Sequence, residues 1–215
     1  MRINKYLADQ GYTTRRGADE LITRRKVLIN GRVAVLGDKV AEGDVVEVKD
    51  TGKQKEYKYF AYYKPKGETT HSPLKGTFYV GRLDKDSHGL IILTNDGRVT
   101  DRLLNPDKEH SKEYLVTTVQ NLRPSFKKNM EQGVDIGDYV TKKCRVEVIG
   151  PRTFKIILTE GKKHQIRRMC AALHLDVADL KRIKVMNISL GNLKPKLSRP
   201  LTEQEQELFL KKLGL

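Results

Sequence analysis

The sequence predicts an α+β fold in two parts: a small N-terminal unit, and a larger domain with a mixed, largely antiparallel sheet flanked by helices. Three observations predict it. Apolar residues recur at helical spacing near the N-terminus. Short runs of branched residues, bounded by Gly, Pro or Asn, recur along the rest of the chain. Most of these runs follow one another directly, with helices scattered among them, which favours antiparallel pairing.

Residues 1–50 form the first predicted unit. Ile3 and Leu7 lie on one face of a short helix, and Thr14 or its neighbour Thr13 caps a second helix. Short strands follow at 27–29, 33–35 and 45–48, the first two joined by an Asn-Gly turn. So small a core indicates a module added to a larger protein. The polar stretch 51–57 contains Gly and is predicted to be the linker.

The second predicted domain spans residues 58–215. Its strands are expected at 59–63, 90–94, 114–119, 144–149, 154–158 and 183–190. Its helices are expected at 98–104, 125–132, 164–173 and 202–213, the last capped by Thr202. Residues 68–79 are expected to form a polar loop.

The charge balance indicates a polyanionic partner. The 215 residues include 42 Lys and Arg against 27 Asp and Glu, a formal net charge of +15. Nucleic acid is the first partner this predicts and an anionic membrane the second; the alternative is a basic protein kept soluble by its charge. The N-terminus has no apolar signal-like segment, and no stretch is long and apolar enough to span a membrane. Since the two cysteines, Cys144 and Cys170, suggest no disulfide framework, a cytoplasmic location is expected.

The sequence lacks the patterns that are typical of several common kinds of binding site. It contains neither GxxxxGK[ST] nor GxGxxG, the fingerprints of nucleotide and dinucleotide sites. Cys144 and Cys170 are far apart, and the five histidines show no metal-ligand spacing. The sequence therefore predicts no metal, no disulfide and no recognisable cofactor.

The stretch from Val80 to Gly97 holds the first candidate for chemistry. A charged turn, Gly81–Gly89, leads into the buried strand Leu90–Thr94. Asp84 lies in this turn next to cationic side chains. A carboxylate so placed is most often a surface residue with modest ion pairing. It can also serve as a nucleophile or a base that nearby cations keep ionised.

The second candidate is the segment Glu160–Met169, where a basic helix follows a glycine. Cations in a first helical turn oppose the helix dipole, so an anion is expected there, either an RNA phosphate or a protein carboxylate. A solvated basic face is the alternative. Tyr114, which opens a predicted strand, offers a ring on which an unpaired base could stack, although an aromatic residue is more often part of the core.

These segments together resemble one enzyme family. Asn4–Leu7, Thr14-Arg15-Arg16 and Val27–Gly31 resemble the S4 RNA-binding module. The longer motifs resemble those of RNA pseudouridine synthases of the RsuA and RluB branch: Gly81–Asp84 with Gly89–Asn95, Lys112–Val116, Glu160–Met169, Lys64–Gly67 and Arg199–Thr202. Details at Asp86-Ser87, Thr141–Cys144 and Met186–Leu190 are most similar to the F-type enzymes. Tyr63 stands where that family usually has Asn.

The resemblance implies a role for each motif residue. Asp84 would be the essential carboxylate, acting either as a nucleophile or as a base at the ribose 2′ position, and no cofactor or metal would be needed. Arg167 would pair with Asp84 and keep it ionised, and Tyr114 would lie against the uracil. Arg82 would fill the place of the flipped base or hold a neighbouring phosphate. The pocket walls would be the apolar residues Ile183 and Leu190.

The implied partner is 23S ribosomal RNA, free or in a pre-ribosomal particle. A monomer is the default expectation for the protein itself. The residues expected to contact RNA are basic: Arg2, Lys5, Arg15, Arg16, Arg24, Arg25, Lys26, Lys162, Lys163 and Arg168. Two other functions remain open at this point. One is pseudouridylation of a tRNA anticodon-arm uridine, and the other is a non-catalytic RNA-binding or ribosome-assembly factor.

Overall fold

The N-terminal unit has the predicted two helices and three short strands. A computed structural model of the chain describes residues 1–49, 56–68, 72–105 and 108–215. The first elements are α1 (Ile3–Asp9), α2 (Arg15–Thr23), β1 (Val27–Ile29), β2 (Arg32–Val33) and β3 (Val46–Val48). Thr14 caps α2 by accepting a hydrogen bond from the Gly17 amide at 3.0 Å. The strands pair antiparallel in the order β2-β1-β3 around a core that includes Ile3, Leu7 and Ile22.

The larger part is built on one sheet. Its strands are β4 (Tyr59–Lys64), β5 (Phe78–Val80), β6 (His88–Thr94), β7 (Lys112–Thr118), β8 (Arg145–Gly150), β9 (Thr153–Leu158), β10 (Val177–Val185), β11 (Ile188–Ser189) and β12 (Ser198–Pro200). Its helices are α3 (Gly97–Leu103), α4 (Phe126–Glu131), α5 (Gln165–Ala172) and α6 (Glu203–Leu213). The main strand order is β12-β4-β6-β10-β7-β9-β8. Within the described ranges β6 and β10 form the one parallel pair, so the predicted largely antiparallel sheet is confirmed.

Three apolar clusters cover this sheet, and two of them join it to helices. One joins β4 and β6 to α3 and α6 and includes Leu90, Ile92 and Phe209. The other joins β7 and β9 to α4 and α5 and includes Phe154 and Met169. The central pair β6 and β10 therefore lies where the two clusters meet. The loop that precedes β6 is held at this junction.

Three predicted elements differ clearly from the structure, and parts of the predicted linker and loop lie outside the described residues. The strand expected at 183–190 is the end of β10 plus β11, joined by a turn in which Met186 has a φ of 52°. The last two residues of the expected polar loop, 78 and 79, belong to β5, which hydrogen-bonds to β6. The second strand of the N-terminal unit covers Arg32–Val33 instead of 33–35. Of the expected linker 51–57, residues 51–55 lie outside the described residues, as do 69–71 of the expected loop.

Candidate active site

The loop that carries Asp84 is anchored by hydrogen bonds from the ammonium group of Lys64, the last residue of β4. Lys64 is completely buried. Its Nζ lies 3.2 Å from the Asp84 carbonyl oxygen, 2.9 Å from that of Ser87 and 3.4 Å from that of Lys85. Burial lowers the pKa of Lys64, and the negative charges of Glu68, Asp84 and Asp86 oppose that shift. A buried ammonium whose donors face loop carbonyls holds the loop in one conformation.

The far end of the loop joins the sheet at Gly89, where β10 approaches closely. Gly89 has a φ of 107° and pairs with Arg182 in the parallel ladder. A Cβ built at this position would lie 2.3 Å from the Arg182 carbonyl oxygen, so only glycine fits. Arg182 is itself buried, and its Nε donates to the Leu90 carbonyl at 2.7 Å.

Two further contacts hold the loop from the side. The Arg167 guanidinium on α5 donates to the Asp86 carbonyl at 3.2 Å and to the Val177 carbonyl at 3.3 Å. His88, the residue before Gly89, has its Nδ1 2.8 Å from the Tyr63 hydroxyl and its Nε2 3.0 Å from Asp179 Oδ2. The loop is therefore fixed to β4, β10 and α5 together.

The Asp84 side chain points away from these anchors into a large cleft and is 38% exposed. The nearest basic side chain among the described residues is His164, whose Nε2 lies 3.5 Å from Asp84 Oδ1. The cleft has a volume of about 920 Å³ and includes the side chains of Tyr114 and Arg82. A space of this size accepts a nucleotide. Asp84 and Tyr114, predicted to act together, therefore line the same cavity.

The cleft is strongly cationic. Among the described residues that line it, Lys and Arg far outnumber the two carboxylates, Asp84 and Glu160. The cations are Arg82, Lys108, Lys112, Lys142, Lys162, Lys163 and Arg182. Such a surface attracts the phosphates of a nucleic acid, which contribute affinity without reading sequence. The excess of positive charge in the whole chain is therefore also found among the residues that line the cleft.

The predicted ion pair between Arg167 and Asp84 is not formed. Arg167 donates to the two backbone carbonyls instead, and His164 occupies the place beside the carboxylate. The two motifs correctly predicted that Arg167 would lie close to the loop that carries Asp84. The direction of the Arg167 guanidinium, however, depends on how α5 packs beside β10. Arg167 thus supports the loop from outside the cleft in this structure.

The predicted apolar walls, Ile183 and Leu190, do not line the cleft. Lys112 and Tyr114 of β7 face it, and so do their partners in β10, Val185 and Arg182. A bulge between Arg182 and Lys184 makes Ile183 the extra residue, which has no partner across the ladder. Leu190 lies in the core beneath β6. Leu180 and Val185 supply the apolar wall instead.

The basic residues expected to bind RNA differ in whether they are exposed or paired with a carboxylate of the protein. Arg2, Arg16, Arg24 and Arg25 are exposed on the N-terminal unit, and Lys26 is half-buried there. Lys5 and Arg15 approach one carboxylate, Asp101 of α3, at 3.8 and 3.0 Å. Arg168 pairs with Asp138, a protein carboxylate, whereas Lys162 and Lys163 are exposed at the cleft.

Sequence reasoning missed several residues that shape the site. Lys64 belongs to the motif Lys64–Gly67, but the sequence analysis predicted no role for its side chain. His164 and Arg182 carried no signal of their own, because their roles depend on contacts between distant segments. Glu160 holds the cleft rim by accepting from Tyr139, Gln165 and the Lys142 amide.

Two properties of the described residues complete the site. They contain no group of three or more His, Cys, Asp or Glu side chains placed to hold a metal ion. Among them, no helix has the length and apolar character that crossing a membrane requires.

Comparison with known proteins gives the family. Residues 46–172 match the RNA pseudouridylate synthase family model, and residues 1–46 match the S4 domain model. The chain is 39% identical to the dual-specificity RNA pseudouridine synthase RluF of Escherichia coli (strain K12), with 95% of this chain and 77% of that protein covered. It is 33% identical to the uncharacterized RNA pseudouridine synthase YtzG of Bacillus subtilis (strain 168), over 97% and 98%.

A solved pseudouridylate synthase structure has the same fold. It superimposes with a TM-score of 0.71 at 29% identity, over 97% of this chain and 99% of that one. Family models, relatives and fold agree along nearly the whole length, from the S4 domain to the sheet that carries the Asp84 loop. The chain is therefore a member of the RNA pseudouridine synthase family, in the branch that carries an N-terminal S4 domain.

Proposed function

We propose that this enzyme converts a specific uridine of 23S ribosomal RNA to pseudouridine, with Asp84 as the essential carboxylate and with no cofactor. RNA pseudouridine synthase activity itself follows from membership of the family. The observation that carries the proposal is the position of the Asp84 carboxylate, facing Tyr114 across a cationic cleft. A cytoplasmic location and a monomeric state belong to the same proposal.

The reaction must break one bond and form another at the same sugar carbon. The N1–C1′ bond of uridine is cleaved, the uracil turns, and C1′ is joined to C5. The proton on C5 is lost and N1 gains one, so the reaction balances without an oxidant or an external energy source. Asp84 acts either as a nucleophile that attacks the ribose or the uracil, or as a general base that removes a proton at C2′. Both roles need the ionised carboxylate.

The target uridine must leave its stack to reach Asp84, at a cost of a few kcal/mol. The volume of the cleft, about 920 Å³, supports this, because it accepts a single nucleotide and both Asp84 and Tyr114 line it. Arg82, exposed at the mouth, is placed to fill the vacated position or to contact the flanking phosphate. Lys162 and Lys163 also line the cleft and are exposed, so they can hold the RNA backbone.

The first experiment removes the carboxylate. Loss of the C5 proton can be followed as tritium release from 23S rRNA labelled with [5-³H]uridine. Asp84→Asn is expected to abolish release while leaving RNA binding and the melting temperature unchanged, because the amide keeps the shape but cannot ionise. Asp86→Asn, two residues away and exposed, is the matched control and should retain activity within about threefold. Product formation by Asp84→Asn would contradict the assignment.

A tRNA uridine is the second candidate substrate. It is favoured by one observation: the relative from Escherichia coli is a dual-specificity enzyme. The same assay on labelled 23S rRNA and labelled tRNA, followed by mapping of the modified positions with a carbodiimide reagent, separates the two. Release from rRNA alone supports the first proposal, and release from tRNA alone replaces it. A non-catalytic RNA-binding factor would release no tritium from either RNA.

A further inference from the structure

The cleft holds an arginine whose positive charge the described part of the protein does not neutralise. Arg182 of β10 is only 4% exposed. Among the described residues, the one acceptor that its guanidinium contacts is the Leu90 carbonyl, which accepts from Nε at 2.7 Å. Neither Nη atom has such a partner among them, and neither is fully buried. Since Arg182 lines the cleft, these N–H donors are available to a molecule bound there.

A second cation raises the electrostatic cost of this arrangement. Lys112 of β7 lines the same cleft, and burial and the nearby charge of Arg182 both lower the pKa of its ammonium. Lys112 donates to the His110 carbonyl at 3.1 Å, and this acceptor carries no negative charge. A buried charge without a counter-charge destabilises the fold. The cleft therefore keeps a positive potential that an anionic ligand would relieve.

This positive potential lies beside the expected position of the uracil. Tyr114 and Arg182 are directly opposite each other in the antiparallel pair of β7 and β10, and both line the cleft. The Cβ atoms of such partners are about 5 Å apart on one face of a sheet. Because the Tyr114 ring is expected to lie against the uracil, the guanidinium is within reach of the uracil carbonyl oxygens. The nearby wall of Leu180 and Val185 is apolar, which strengthens electrostatic interactions there.

The reaction gives the uracil a negative charge when the glycosidic bond breaks. The electron pair of the N1–C1′ bond leaves with the base, and its charge is shared by N1 and the oxygens O2 and O4. The charge is removed when C5 attacks C1′ and forms the new bond, after which C5 loses its proton and N1 gains one. If Asp84 attacks the uracil first, an enolate forms and the negative charge again lies on a carbonyl oxygen. Each role of Asp84 thus leads to an anionic uracil.

We propose that Arg182 is a further catalytic residue: its guanidinium donates to a uracil carbonyl oxygen and stabilises the negative charge that develops on the base. The inference rests on the proposed function, because it takes a uridine bound between Asp84 and Tyr114 as the substrate. A guanidinium is always charged, and the hydrogen bond to Leu90 orients it before the RNA binds. Its interaction strengthens as the oxygen becomes more negative, so the transition state gains more than the bound uridine.

Arg182→Gln tests this role, because the amide keeps a donor near the Leu90 carbonyl but carries no charge. At saturating enzyme, single-turnover tritium release from 23S rRNA labelled with [5-³H]uridine should be about 100-fold slower, the loss that follows removal of one oxyanion donor. Filter binding across a salt series should give the native affinity within about threefold and an unchanged salt slope. The melting temperature should not fall, because the variant loses a charge that has no counter-charge. Arg182→Lys keeps the charge without the planar fork, so its rate should fall less.

The matched control is Lys181→Gln. Lys181 is the neighbour of Arg182 in β10, but it is not among the residues that line the cleft. Its side chain points to the other face of the sheet, with Nζ 5.2 Å from the centre of the Tyr63 ring. This variant should keep the native rate within about threefold.

Three results would overturn the inference. The first is a native rate for Arg182→Gln. The second is a native rate at saturation with a salt slope lower by about one, which would make Arg182 a phosphate contact. The third is a lower melting temperature with equal rate losses in Arg182→Gln and Arg182→Lys, which would make its role structural. Failure of the proposed function is distinct, since the native enzyme would then release no tritium from 23S rRNA.

Discussion

At the scale of single residues, the loop that carries Asp84 depends on a lysine that is not among the residues lining the cleft. Lys64 is fully buried beneath the loop, and its ammonium is satisfied by carbonyl oxygens that include those of Asp84 and Ser87. An uncompensated buried charge would be costly, so the loop and the lysine stabilise each other. The conformation of the loop in turn decides where the Asp84 carboxylate lies.

Lys64→Met should therefore weaken both the fold and the reaction. Methionine fills similar space but leaves the loop carbonyls without donors, which should lower the free energy of unfolding by about 2 kcal/mol. Single-turnover rates should fall about tenfold as the carboxylate loses its position. Urea denaturation and tritium release measure the two effects. Lys58→Met, at an exposed position just before the same strand, is the control; equal behaviour of both variants would contradict this role.

At the scale of elements, the start of α3 is tied to β4 by one buried carboxylate. Asp96 caps α3 by accepting from the Arg98 amide, and its side chain also accepts from the Arg98 guanidinium at 2.8 Å and the Tyr59 hydroxyl at 2.8 Å. Burial raises the pKa of Asp96, but these donors outweigh burial and leave it below its usual value. The ionised form is thus the one that the fold stabilises.

The direction of that shift predicts how stability changes with pH. A carboxyl whose pKa is lower in the folded state adds stability above its unfolded value, here 3.8, and loses it as the pH falls through the folded value. Asp96→Asn should cost about 3 kcal/mol near neutral pH. The cost should shrink below about pH 4 in urea denaturation. Asp86→Asn should show no such difference, and a cost for Asp96→Asn that is independent of pH would contradict the prediction.

At the scale of the whole molecule, the positive charge is shared between the N-terminal unit and the cleft. The two parts meet where Lys5 and Arg15 approach Asp101 of α3. These two cations are partly neutralised there, whereas Arg16 and Arg24 are exposed. Fewer basic residues of the N-terminal unit are therefore available to contact RNA than the sequence predicted.

This division predicts different salt dependences of RNA binding. Arg16→Ala should lower the slope of log affinity against log salt by about one, the contribution of one phosphate contact. Arg15→Ala should lower it less, because that guanidinium is paired with Asp101 in the free protein. Filter binding to 23S rRNA across a salt series gives both slopes. An unchanged slope for Arg16→Ala would place the RNA on another face.

The sequence alone determined the class of fold, the S4-like unit, the cationic character and the position of Asp84 in a turn before a buried strand. These features are local or compositional: periodicity predicts each element, and the charge total predicts the partner. The motif order was enough to indicate the enzyme family, which the comparisons confirm.

The tertiary structure decided which side chains meet. A bulge in β10 moves Ile183 out of register and puts Val185 at the cleft, a change that no local pattern signals. The packing of α5 turns Arg167 toward backbone carbonyls and leaves His164 beside Asp84. Lys64 becomes an anchor only because the loop twenty residues later folds over it. The site depends on contacts between segments that are far apart in the chain. Packing sets the direction of each side chain in these contacts, and packing cannot be predicted from the order of residues alone.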